Sequence, residues 1–315
     1  MLKFSFAILA GLLAYASAIP LTNNDSVAIT PLGGGPGGVT KRAPEWAINK
    51  DLRELLADRA GLKDVKKQRG RLEKAVKEAS TWSDNPGLQK YVEQSYVAFE
   101  PRIQGHPAYE KDILQRVEEA GYILDFGTGF TQDMQQLVKD GASQSYIFGF
   151  DLDPRPISVG LELFGDNSGS SNNNNLLEGN FHGGVNILHP EEWDDDVNDL
   201  LGQFVVVHAS KLFHLFSKDD QKKIALNLIH FLVKDNDSGN PLIAGVNVFQ
   251  ESAKDPRYHN KATWKTLWEE VKDSFNKDSE NDQIKNIDTN THMVPKASPD
   301  EKQMTWFEVY VEWKG

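Results

Sequence analysis

The sequence predicts an α/β protein: a doubly wound, mostly parallel sheet with an antiparallel C-terminal strand and an N-terminal helical extension. Three observations carry that prediction. Between Tyr122 and Phe249, short β-branched apolar runs alternate with amphipathic stretches, and such alternation builds parallel βαβ units. The segment Met304–Trp313, MTWFEVYVEW, instead alternates apolar and polar residues, as a half-buried antiparallel strand does. The stretch from Pro44 to Ser80 is strongly charged, with Leu52, Leu55, Leu56 and Leu62 at helical spacing.

Taken in order, residues 1–18 hold a basic Lys3, the apolar run FSFAILAGLLAYA and the small-residue site Ala16-Ser17-Ala18. These are the three parts of a secretory signal, and the apolar run is too short for a membrane span. Residues 19–43 include PLGGGPGG and read as a flexible linker or pro-segment ending near the dibasic pair Lys41-Arg42. Asn24 and Asn236 each open an N-D-S glycosylation sequon. Residues 44–105 read as the helical extension, interrupted at Gly61 and Gly70, covering the core or a substrate cleft. Residues 106–315 form the main domain. Its strands are expected at Tyr122–Gly127, Ser145–Asp153, Phe204–Ser210 and Pro241–Phe249. Helices are expected at Thr131–Ala142, Pro156–Asp166 and Ser217–Val233, the last with Ser217 as its N-cap. Trp264 and Trp268, one helical turn apart, are expected to anchor a helix to the core. The polar run Ser168–Asn175 is expected to be an exposed loop. The whole is Rossmann-like.

Composition narrows the function. A formal charge of -12 opposes binding to phosphate backbones, so no nucleic-acid partner is expected. The chain has no cysteine, which excludes disulfides, thiolate metal sites and cysteine nucleophiles. The histidines show no metal-ligand spacing, and no metal is expected.

The chemistry sits in YILDFGTGFTQD and IFGFDLDP. One strand ends at Asp125, and Gly127, Thr128 and Gly129 turn the chain toward a helix. The next strand ends at Asp151, where a carboxylate can accept both hydroxyls of a ribose. Glycines admit close approach of a ligand to the backbone. A dinucleotide site would place a third glycine where Gln132 stands. An acid two residues before the first glycine suits the methionine ammonium of S-adenosylmethionine (SAM), and Asp125 occupies that place. This reading makes Asp125, Gly127, Thr128, Gly129, Asp151, Leu152, Asn180, Phe181 and Ser210 the cofactor-binding candidates. Leu152 would pack beside the adenine, and Asn180-Phe181 would follow a third strand and touch it. His208, at the end of the fourth strand, is the candidate catalytic base, since imidazole titrates near neutrality.

From about His106 to Gly315 the chain resembles the fungal SAM-dependent O-methyltransferases of polyketide and meroterpenoid biosynthesis. The phrases HPAYEKDILQRVEEAGYILDFGTGF, FGFDLDPRPISVGLELFGD, HASKLFHLFSKDDQ and YHNKATWKTLWEEV carry the resemblance. It implies a class I methyltransferase fold, SAM as cofactor and a small organic acceptor as partner, with no stable membrane anchor. That family commonly has glycine where this chain has Thr131, and its members are ordinarily intracellular. Those departures keep a second expectation open: a secreted, catalytically silent binding protein on the same fold.

Overall fold

The computed structural model describes residues 47–94, 96–119, 121–166, 179–234, 239–250, 255, 257–279, 282–295 and 303–315. The expected signal, linker, dibasic pair, both sequons and the Ser168–Asn175 run lie outside the described residues.

Among the described residues, seven strands form one sheet: β1 Tyr122–Phe126, β2 Ile147–Asp151, β3 Phe181–Gly183, β4 Phe204–His208, β5 Leu242–Val248, β6 Ile284–Met293 and β7 Met304–Trp313. Their order is β3-β2-β1-β4-β5-β7-β6. The first five strands pair in parallel. β7 runs antiparallel to both β5 and β6. This is the doubly wound order that splits between β1 and β4, with an antiparallel strand slipped in beside β5. The fold is thus the Rossmann-like, mostly parallel sheet with an antiparallel C-terminal strand that the sequence predicted. The pleat explains β7: its burial alternates along most of its length, with Phe307, Val309 and Val311 in the core. The sequence did not flag β6. Its residues IKNIDTNTHM are mostly polar, and only Ile284 is fully buried, as suits an edge strand.

Helices α1 Lys50–Arg59, α2 Val65–Ala79 and α3 Pro86–Gln94 make the extension. Gly61, at φ 66°, separates α1 from α2 as expected. Gly70 does not interrupt anything: α2 runs through it. It is exposed, a glycine inside a helix costs only about 1 kcal/mol, and the buried Leu72, Ala75 and Ala79 on the other face offset it. After a π-helical turn, Tyr109–Leu114, the short α4 Gln115–Glu118 leads into β1. The crossover helices are α5 Gln132–Lys139, α6 Pro154–Phe164, α7 Asp195–Asn198, α8 Lys218–His230 and α9 Lys261–Asp278. Ser217 caps α8 as expected, accepting from the Asp220 N–H at 3.2 Å. Trp264 and Trp268 are wholly buried on α9, their rings 5.8 Å apart.

The extension is part of the core. Leu52, Leu55, Leu56 and Leu72 pack with Phe130, Val159, Leu163 and Phe164 of the main domain. Each such leucine contributes about 1.5–3 kcal/mol by leaving water. Trp82 stacks on Phe130 at 6.3 Å and Phe99 tilts against it at 4.6 Å. The Asp133 carboxylate accepts the N–H groups of Arg102 and Ile103 at 2.6 and 3.0 Å. The extension therefore clamps the loop that follows β1.

Candidate functional site

The carboxyl ends of β1, β2 and β4 define a crevice, as the split in strand order requires. After β1, the N–H groups of Gly127 and Thr128 both donate to the Phe150 carbonyl, at 2.8 and 3.1 Å. That folds the loop back over β2. Gly127 and Gly129 take φ values of 80° and 54°, where only glycine is unstrained. A Cβ on Gly129 would meet nothing within 4 Å, so this backbone borders open space.

Asp151 crosses beneath it. Its carboxylate accepts the Gly129 N–H at 2.9 Å and the Asp153 N–H at 3.0 Å. Burial pushes its pKa up to about 6, although the two N–H bonds work the other way. A carboxylate with two of its roughly four acceptor sites filled can still receive a diol. Leu152, next in the chain, is 40% exposed, one of the few large apolar side chains so placed among the described residues.

A cavity of about 280 Å³ opens here, lined by Asp151, Leu152, Arg155, Asp84 and Asn85. The last two come from the extension, which thus borders the site as the sequence suggested. Arg155 ties the two parts, pairing with Asp153 at 2.6 Å and Asp84 at 2.8 Å, and lying 5.1 Å over Trp82. Nothing in the sequence pattern marked Trp82, Asp84 or Asn85 as neighbours of Asp151.

On the other side of β1, register sets Asp125 opposite His208. Nδ1 of His208 lies 2.7 Å from the Asp125 carboxylate, and Nε2 lies 2.8 Å from Ser210 Oγ. Burial alone would push the imidazole pKa down, but the Asp125 charge and hydrogen bond outweigh it and hold it above its usual range. The raised value favours the imidazolium beside Asp125, and in that form Nε2–H donates to Ser210 Oγ. The Val246 N–H donates to the same Oγ at 3.2 Å. In that form the Ser210 hydroxyl proton is available to another acceptor, and Ser210 is partly exposed. The structure adds to the expectation for His208, the candidate base: its ring is buried, with Nδ1 on Asp125 and Nε2 on Ser210 Oγ.

Two more expectations need correction. Asn180 and Phe181 do not follow a strand; Phe181 opens β3 and pairs with Gly149. The Asn180 side chain donates to the carbonyls of Gln144 and Ile147, at the start of β2. Both residues thus lie at the end of the sheet away from the crevice. Gly183 is the residue paired with Asp151, and the Val185 N–H donates to the Asp151 carbonyl at 3.1 Å. The GG in FHGGV was the signal available for this end of β3.

Thr131 stands at the N-cap of α5 with φ 61°, wholly buried, and its hydroxyl caps nothing. A β-branched residue in this region is strained by about 1–2 kcal/mol. Its Oγ1 and that of Thr128 are buried without a protein hydrogen-bond partner. Thr131→Gly is therefore expected to raise stability by about 1 kcal/mol, the relief of strain exceeding the entropy that glycine adds to the unfolded chain. Thermal melts of both proteins check this; a lower midpoint for the variant would show that the Thr131 side chain pays its way by packing.

His189, Glu191 and Glu192 bring their ligand atoms within 4.8 Å of one another on the exposed surface.

No family model matches the chain. It is 29% identical over 182 residues to the methyltransferase adrK of Penicillium roqueforti, covering 54% of this chain and 60% of that protein. It is 30% identical over 181 residues to the Asnovolin E/Chermesin D methyltransferase nvfJ of Aspergillus novofumigatus, covering 54% and 59%. Among solved structures, the mitomycin 7-O-methyltransferase MmcR superposes with a TM-score of 0.46 at 10% identity, over 75% of this chain and 60% of that one. The chain spans about 60% of the length of the curated relatives it matches. Over that shared part the chain is similar in sequence to these fungal methyltransferases.

Proposed function

We propose that the chain is a SAM-dependent methyltransferase that methylates an oxygen of a small organic acceptor. The observation that carries this reading is Asp151: a buried carboxylate held by the Gly129 N–H, beside open space and the exposed Leu152. The residues fit the cofactor. Asp151 would accept the ribose hydroxyls, Leu152 would face the adenine, and Gly127 and Gly129 would let the ligand approach the backbone. The orphaned Thr128 Oγ1 and the outward Ser210 hydroxyl offer polar contacts. Bound there, SAM supplies a methyl group on a sulfonium, ready for in-line displacement. The protein's part is then to position the acceptor and exclude water. Similarity to the fungal enzymes supports the reading, and the acceptor class follows theirs only as part of this proposal.

Calorimetry with S-adenosylhomocysteine (SAH) tests it. Micromolar binding by the wild-type chain is expected. Asp151→Ala should lose about 1.5–3 kcal/mol of binding, the worth of hydrogen bonds to a charged group. Ribose hydroxyls need the ionised carboxylate, so affinity should rise with pH through about 6 and level off above it. At pH 5 the loss should be about tenfold. The fold is not what fails there. An acid whose pKa is raised by folding holds its proton more tightly when folded, so acidification through this range favours the folded state at Asp151. Flat affinity from pH 5 to 8 would remove Asp151 from the site. No binding by a folded chain would favour a silent binding protein on the same sheet, the reading that the strained Thr131 supports.

A further inference from the structure

We propose that Tyr91 and Lys211 form the proton-accepting pair of the crevice, taking the hydroxyl proton of a phenol-type acceptor. The inference rests on the methyltransferase reading and narrows its acceptor to a hydroxyl group, because a carboxylate has no proton to give up at neutral pH. Lys211 directly follows Ser210 and, with Thr131, is one of two non-glycine residues at positive φ among the described residues, here 55°. Its N–H donates to the Val246 carbonyl at 2.6 Å, so the end of β5 holds the turn. Strained backbone of this kind persists where surrounding contacts over-determine it, and it gathers at functional sites.

The turn sends Lys211 Nζ to the Tyr91 hydroxyl at 2.9 Å and 5.1 Å over its ring. Tyr91 comes from α3, so the pair joins the extension to the sheet beside the glycine loop; Leu212 is the side chain that a Cβ on Gly127 would meet. Both members are half-buried.

The charges around the pair favour its use as a base. Arg102 and Lys211 act on Tyr91 as cations, and Glu100 opposes them. Burial pushes the phenol up, but the two cations outweigh it and bring it below its ordinary value. Burial lowers Lys211, and Arg102 adds to that, while Tyr91 and Asp133 resist.

In the step, the acceptor oxygen forms its bond to the methyl carbon while its proton passes to the Tyr91 phenolate oxygen. The electrons of the broken C–S bond stay on sulfur. Tyr91 is left neutral and returns its proton to solvent, with Lys211 remaining an ammonium throughout.

The test uses the full chain labelled with ¹³C at tyrosine Cζ and titrated by NMR, with Tyr91→Phe identifying the resonance. Tyr91 is expected to ionise about one pH unit or more below the ordinary phenol value of about 10. Lys211→Met should move it up by about one unit or more. Tyr91→Phe should bind SAH within about twofold of wild type, yet lose about 100-fold or more of kcat in SAH release with a panel of simple phenols. A Tyr91 that titrates near 10, that ignores Lys211→Met, or whose removal leaves turnover unchanged overturns the proposal. The titration decides whether or not any phenol in the panel is turned over. SAH that fails to bind wild-type protein defeats the methyltransferase reading itself; normal SAH binding with an ordinary Tyr91 defeats only this one.

Discussion

Replacing His208 by alanine is expected to destabilise the protein by about 3–5 kcal/mol, because it strands Asp125 as a buried charge without its counterion. Both side chains are almost wholly inaccessible, so water cannot replace the lost partner cheaply. The loss should show as a lower midpoint in urea at unchanged slope. Removing both groups is a different matter. His208→Leu with Asp125→Leu should recover much of the stability, since a buried ion pair replaced by apolar residues of similar size is often neutral. The pH dependence has a definite sign. Folding raises the His208 value, so the pair's contribution is fully present below the ordinary imidazole value and is lost as pH rises through the raised one. The gap between wild type and His208→Ala should therefore narrow in alkaline buffer. A single variant within 1 kcal/mol of wild type, a threshold set by the worth of an exposed pair, would mean that the pair is not held as described.

Gly160→Ala is expected to be the second large loss, of about 3 kcal/mol, with SAH affinity falling alongside stability. A Cβ on this α6 residue would lie 2.2 Å from the Phe130 carbonyl oxygen and 2.5 Å from its carbon. Those are backbone atoms, and no rotamer change clears them. Either α6 or the glycine loop must shift, at the 1–3 kcal/mol or more that overpacking costs. Alanine's better helix propensity returns only about 1 kcal/mol of it. Since Phe130 follows Gly129 and is clamped by Trp82 and Phe99, the displaced backbone is the one that borders the crevice. Denaturation and calorimetry on the same variant check both parts; a variant that is more stable than wild type would show that this contact does not fix the loop.

Much of the fold was legible along the chain. Strand–helix alternation located β1, β2, β4 and β5 to within a few residues, and the two-residue period of MTWFEVYVEW located β7. The motif around Asp125–Gly129 and the acid at Asp151 both arrive at the crevice. These signals are local: a strand end, a glycine turn and a carboxylate are each written in fewer than ten consecutive residues. β6 was missed because an edge strand buries little and so carries little apolar pattern. The start of β3 was misplaced by a few residues, which turned Asn180 and Phe181 from ligand contacts into residues of the far end.

What the sequence determined by itself was the class of sheet and the carboxylates that end β1 and β2. Only the tertiary structure decided what each group there is free to do. Register alone sets Asp125 against His208 and so places the candidate base on a buried carboxylate. Packing of α3 against the sheet brings Tyr91 to Lys211 across 120 residues of chain. The physical reason is the same in both cases. A side chain's reactivity depends on which charges and donors lie within a few ångströms, and distance along the chain carries no information about that distance in space.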